Sequence, residues 1–126
     1  MTAPSLPTLA TDEILRIIRE SMLNRNPLRL RYDGEERVLC AQMLGRNGEG
    51  RIRILCLQLS GQSGRGLRHD DGHENWRCLS LEKIDSAERA DCAWLSASSS
   101  PRRPKCLDTI ELDVTGQPER EPQKGQ

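Results

Sequence analysis

Several groups of side chains in this sequence could do chemistry. His69 and His73 stand four residues apart in Arg68-His69-Asp70-Asp71-Gly72-His73-Glu74. That spacing clamps a metal when both imidazoles lie on one face of a helix. Gly72 lies between them and no helical periodicity surrounds them, so the expectation is an acidic solvent loop and no metal site. Ser63, in Gly61-Gln62-Ser63-Gly64-Arg65-Gly66, has neighbours like those of a phosphate cradle. The Gly-Lys-Ser/Thr ending of a P-loop is absent and no helix opens after it, so the stretch reads as a glycine-rich connection between strands. Nucleophilic catalysis needs a Ser or Cys beside a positioned base and an orienting group. Two histidines in one loop and no Gly-x-Ser-x-Gly elbow supply no such set. The chain is therefore expected to be no enzyme, with no catalytic residues and no cofactor.

The five cysteines, Cys40, Cys56, Cys78, Cys92 and Cys106, are odd in number and form no Cys-x-x-Cys pair. A secreted disulfide scaffold would come with an even count and a signal segment. The opening Met1–Ala10 has neither a positive n-region nor an apolar core, so a cytoplasmic location and reduced thiols are expected. Cys40, Cys56 and Cys78 fall in apolar or alternating runs and should be buried as small hydrophobes.

Charge is informative through its distribution. The formal net charge is zero, so no global field draws the chain to nucleic acid or membrane. Residues 25–68 nevertheless carry nine Arg against four acids, whereas 69–91 carry seven acids against three bases. Arg forks grip carboxylate and phosphate at two points. The arginine-rich stretch is read either as an anion-binding surface or as a solvated sheet face. Base stacking has few candidates, since Tyr32, Trp76 and Trp94 are the only aromatics.

These residues must be positioned by a small, aliphatic fold. The 126 residues suit one domain. With no Phe and only 2% aromatics, the core must come from Leu, Ile, Val, Met and Cys. No run approaches the length of a membrane span, so no membrane partner is expected. Residues 1–10 read as a flexible lead-in. Thr11 is the expected N-cap of an amphipathic helix over 11–24, with Asp12 and Glu13 in its first turn and Ile14, Ile17, Ile18 and Met22 as its apolar stripe. Pro27 stops it. Such a stripe must lie on another element or on another chain, so a homodimer or partner protein docking through 11–24 is one expectation.

Beyond Pro27 the pattern has period two. Leu28, Leu30 and Tyr32 alternate with Arg29 and Arg31. Asp33-Gly34 predicts a hairpin, with Arg37–Leu44 as the return strand. Asn47-Gly48 marks the next turn, Arg51–Leu59 a third strand, and Trp76–Ile84 a fourth. In that fourth strand Trp76 and Cys78 take one face, and Leu79 and Leu81 the other. Asp85–Leu95 reads as a strand or a short helical piece. A C-terminal extension covers 96–115 with a late strand over Leu107–Val114, and 116–126 should be a disordered tail. The fold class is mainly β with one N-terminal helix.

At this level the residues resemble a family. Leu30-Arg31-Tyr32-Asp33-Gly34, Arg37-Val38-Leu39, Leu44-Gly45, Gly50, Leu55, Gln58, Gly61, Ser63, Trp76-Arg77 and Lys83-Ile84 occur in an order and spacing similar to the WYL domain, in its short stand-alone bacterial form. The chain departs from the pattern in having Ala41 where a proline is usual, leucines at 44, 57 and 79 where aromatics are usual, and Arg53-Ile54-Leu55 in place of the name-giving triplet. The resemblance implies a small Sm-like β-barrel, α+β, over residues 27–95. It implies a ligand-sensing or regulatory module recognising an anionic or nucleotide-like ligand; the alternatives are a single-stranded nucleic-acid binder or a protein-interaction subunit. By resemblance the ligand-binding residues are Tyr32, Arg37, Gln58, Ser63, Trp76, Arg77 and Lys83. Arg37 and Arg77 are expected at one mouth, with either an exogenous anion or Glu35 and Glu36 between them.

Overall fold

A computed structural model describes residues 6–61, 76–95 and 106–115. Helix α1 spans Thr11–Asn24. Ala10, with extended backbone and no side-chain cap bond, precedes it, so Thr11 is the first helical residue and not the expected cap. Asp12 and Glu13 occupy the first turn, where the helix dipole favours carboxylates. The helix ends in a Schellman-type closure: Arg25 turns left-handed at φ 54°, its N–H reaches the Met22 carbonyl, and the Asn26 N–H reaches the Ser21 carbonyl at 2.9 Å. The lead-in is anchored from Leu6 onward. Leu6 is buried, the Leu9 N–H donates to the Asp85 carbonyl, and Arg31 donates to the Leu6 carbonyl and to Thr8.

The strands are β1 (Leu28–Tyr32), β2 (Glu35–Arg46), β3 (Ile52–Gly61), β4 (Trp76–Ser80), β5 (Ile84–Arg89) and β6 (Thr109–Asp113). All pairings are antiparallel, in the order β4-β3-β2-β1-β5, with β6 also paired to β2. The long β2 shares one edge between two partners, β1 along its first half and β6 along its second. Asp33 and Gly34, with φ of 54° and 85°, form the two-residue hairpin that their sequence predicts. The next turn is built differently from a central Asn-Gly. The Asn47 side chain accepts the Glu49 and Arg51 N–H groups, and Gly50 supplies the left-handed residue. Gly45 is required by crowding, because a Cβ there would lie 2.0 Å from the Thr109 carbonyl of β6.

The expected fourth strand is two strands. β4 ends at Ser80, a 3-10 turn covers Leu81–Lys83, and β5 begins at Ile84. That short turn joins the two outer strands of the β4-to-β5 path, so Ser80 and Ile84 lie at most about 14 Å apart. The sheet must therefore curl strongly. Two bonds hold the curl: the Ser80 N–H donates to the Tyr32 hydroxyl at 3.2 Å, and the Asp33 N–H to the Lys83 carbonyl at 2.9 Å. The sheet does not close into a barrel.

The inner face carries the main core. Ile14, Ile18 and Met22 of α1 pack with Leu28, Leu30, Leu39, Ala41, Leu44, Ile54, Cys56, Leu79, Leu81, Ile84 and Ala87. Each fully buried large aliphatic side chain there contributes about 1.5–3 kcal/mol. The stripe of α1 is thus buried within the chain itself. The outer face holds a smaller cluster of Met43, Leu55 and Leu107, flanked by Trp76, Cys78 and Cys106. The expected faces of Trp76 and Cys78 against Leu79 and Leu81 are those observed. No helix among the described residues is long and apolar enough to cross a membrane.

The cysteines require a correction. Cys40 and Cys56 are free and buried, and Cys92 is free and exposed, but Cys78 and Cys106 form a disulfide with Cα atoms 6.6 Å apart. The return of β6 along β2 carries Cys106 over the outer face beside β4. That proximity is set by topology across a separation of 28 residues, which no local spacing could reveal.

Candidate functional site

Register places the candidate residues. Along the inner face, Leu30 of β1 lies opposite Arg37 of β2, and Leu39 opposite Gln58 of β3. Ala41 faces Cys56, which in turn faces Arg77 of β4. The register of β2 against β3 shifts between Val38 and Leu39, so Leu59 has no opposite number and Arg37 comes to lie opposite Gly61. Such a bulge re-aims side chains near the end of a strand. Here it leaves no side chain directly across from Arg37 on β3.

Arg37 is the centre of the group. It is 9% exposed, although it is an arginine on a strand. Its guanidinium carbon sits 4.8 Å from the centroid of the Tyr32 ring, a cation–π contact that covers one face. Its Nη1 donates to the Gln58 Oε1 at 3.3 Å, and Gln58 is itself buried. Its Nε is buried with no hydrogen-bond partner. Among the described residues, no carboxylate pairs with it. Glu36, one of the two expected internal partners, binds Arg29, and Glu35 is exposed.

Arg77 is half-buried and donates from Nη1 to the Trp76 carbonyl at 2.8 Å. Cys56 links the two arginines. Burial pushes its thiol up from 9.0 to about 12, and the charges of Arg37 and Arg77 pull it partly back. Both guanidiniums therefore act on one sulfur, which stays neutral. The Cys56 Sγ–H points at the Arg77 carbonyl, 3.4 Å away. The inner face brings Tyr32, Arg37 and Gln58 together, and Arg77 shares that face opposite Cys56.

The other expected residues are placed differently. Trp76 lies on the outer face in the small cluster with Leu55 and Cys78, because strand alternation sends it opposite to Arg77. Lys83 is exposed on the 3-10 turn and contributes its backbone carbonyl to Asp33. Ser63, His69 and His73 lie outside the described residues. Cys56 was not among the expected site residues, although its period-two relation to Gln58 is a signal that it shares the inner face. An open groove of about 620 Å³ runs over the outer face by Arg29, Val38, Leu59, Glu88 and Arg89. Its central cation, Arg29, is already bound to Glu36 and Glu88.

No family model, no curated protein and no solved structure matches this chain.

Proposed function

We propose that this chain is a non-enzymatic binding or sensing module of WYL type. Its ligand would be a small anion or the anionic end of a nucleotide-like molecule. One observation carries the reading: the Arg37 guanidinium is buried, held by a ring and an amide, and among the described residues it has no carboxylate and an unfilled Nε. Desolvating a cation costs several kcal/mol unless a counter-charge and hydrogen bonds offset it. An unfilled buried donor adds about 1–3 kcal/mol. Tyr32 covers one guanidinium face and Gln58 takes Nη1, which leaves the in-plane Nε and Nη2 edge. That edge matches two oxygens of a carboxylate or phosphate. Arg77 would add a second charge. The Sm-like strand arrangement of the resemblance, as an open curled sheet, belongs to the same proposal. It is supported by a sheet curled until its outer strands are joined by one 3-10 turn.

The rival readings lose their motive. Three of the arginines that suggested nucleic acid are paired with acids: Arg29 with Glu36 and Glu88, Arg31 with Asp85, Arg51 with Glu49 and Glu82. The Tyr32 ring is already stacked on Arg37, and Trp76 packs in the outer cluster. Docking through 11–24 would need an apolar stripe that the sheet already buries.

Mass spectrometry of the natively purified protein, with a thermal-shift series in phosphate, nucleotides and dicarboxylates, tests the reading. A co-purified anion, or stabilisation that saturates with one of them, is expected. Affinity for any oligonucleotide falling steeply with salt, without response to small anions, would favour the nucleic-acid reading instead.

A further inference from the structure

The disulfide and the inner-face site share one short strand. In β4, Arg77 faces Cys56 on the inner side, while Cys78 faces Leu55 on the outer side and carries the bridge to Cys106. Cys106 lies three residues before β6, a strand of five residues that among the described residues pairs with β2 alone. Beyond its ladder, β6 is flanked by the Asp108 N–H to the Arg46 carbonyl, the Val114 N–H to the Gln42 carbonyl, and the Arg19–Glu111 ion pair. Among the described residues β4 pairs with β3 alone. Two strands, each hydrogen-bonded to a single strand among the described residues, are thus tied to each other by one covalent bond. Both bridging cysteines are half-buried, within reach of a small thiol. The free thiols Cys40 and Cys56 are fully buried, and Cys92 is the exposed free thiol among the described residues.

We infer that the Cys78–Cys106 bridge is a redox-operated clasp: closed, it fixes β4 and β6 and holds Arg77 on the inner face opposite Cys56; open, it loosens both strands and weakens the anion site. The regulatory half of this inference rests on the anion-site reading above. Closure proceeds by thiol–disulfide exchange with a low-molecular-weight disulfide such as oxidised glutathione. One cysteine, as thiolate, attacks that disulfide, forms a mixed disulfide and expels one small thiol. The second cysteine then attacks the mixed disulfide and expels the other. The protein loses two electrons and two protons, and the small disulfide gains them. Opening by excess small thiol is the reverse.

The test uses the full chain, oxidised and reduced, and a Cys78→Ser/Cys106→Ser double variant as a permanently open form. Thiol counting in denaturant should rise from three to five on reduction, matching the three free cysteines of the five present. Amide exchange at 76–80 and 107–114 should quicken on the order of tenfold or more, while α1 and the centre of β2 keep their protection. Inorganic phosphate should bind the oxidised chain several-fold more tightly than either open form. Equal exchange in all three forms would overturn the clasp, whatever phosphate does. Faster exchange with equal phosphate affinity would overturn the coupling and leave the anion site standing. Phosphate bound by no form would overturn the site reading itself, and with it the regulation.

Discussion

Arg31 and Arg37 sit six residues apart on paired strands, and they are treated in opposite ways. Arg31 lies at the β1–β5 edge, where Nε meets Asp85 at 2.7 Å and the other nitrogens meet the Leu6 carbonyl and Thr8. Its neighbour Arg29 is held between Glu36 and Glu88. Each of these partly buried guanidiniums thus has a carboxylate beside it. Arg37 is the more deeply buried, and it has a ring, one amide oxygen and an idle Nε. A structural role would put the carboxylates where the cation is most expensive to leave alone. Among the described residues they stand at the rim. The contrast shows that position on a strand says little about an arginine's task, whereas burial without a counter-charge says a good deal.

The comparison can be sharpened by substitutions of decreasing effect on stability. The largest concerns the core that supports both regions. Ile18→Ala removes a fully buried side chain under the sheet and should cost about 2–5 kcal/mol in denaturant unfolding. A loss under about 1 kcal/mol would mean that α1 is not what covers the inner face.

Alkaline pH comes next. Burial pushes the Cys56 thiol up to about 12 and the Cys40 thiol up to about 11, both from 9.0. Thiols with raised values in the folded state hold their protons longer there than in the unfolded chain. Their contribution is therefore complete below pH 9.0 and is lost as pH climbs toward 11 and 12. Iodoacetamide at pH 8 should label Cys92 rapidly and leave Cys40 and Cys56 unlabelled until the chain unfolds. Rapid labelling of Cys56 in folded protein would place it in an open site.

Arg31→Ala should cost about 1–2 kcal/mol, because three hydrogen bonds from a largely buried guanidinium are lost together. Arg29→Ala should cost only about 0.5 kcal/mol, since both its partners are exposed and solvated. A larger loss from Arg29 than from Arg31, measured by urea unfolding, would break the burial argument for the rim.

The sequence made the framework legible wherever periodicity and turn chemistry agreed. The α1 stripe, the Asp33-Gly34 hairpin and the first three strands follow from local pattern alone. The division between β4 and β5 was hidden because Leu81 and Ile84 continue an apolar run, and the 3-10 turn between them contains no Gly or Pro. The anchoring of Leu6 and Leu9 was hidden because short apolar residues among prolines and threonines carry no period. The bridge between Cys78 and Cys106 depends on β6 returning to β2, a long-range fact. Alternation on β1, β2 and β3 could put Tyr32, Arg37 and Gln58 on faces but could not say which faces meet. Their grouping follows from resemblance to a family pattern, whereas Cys56, which the sequence marks only as a buried small hydrophobe, stands in the same alternation. Trp76 was assigned to the pocket by that resemblance, although its alternation with Arg77 places the two on opposite sides.

The most direct test of the central claim is a phosphate titration of the wild-type chain and of Arg37→Met, followed by calorimetry, with thermal melts of both in phosphate-free buffer. Losing the ring contact costs about 1 kcal/mol, and removing a buried unpaired charge offsets it. The melting temperature of Arg37→Met should therefore hold or rise, while saturable phosphate binding seen in the wild type disappears. A melting temperature that falls sharply in ligand-free buffer, with phosphate binding retained or absent in both proteins, would contradict the account and make Arg37 a structural residue.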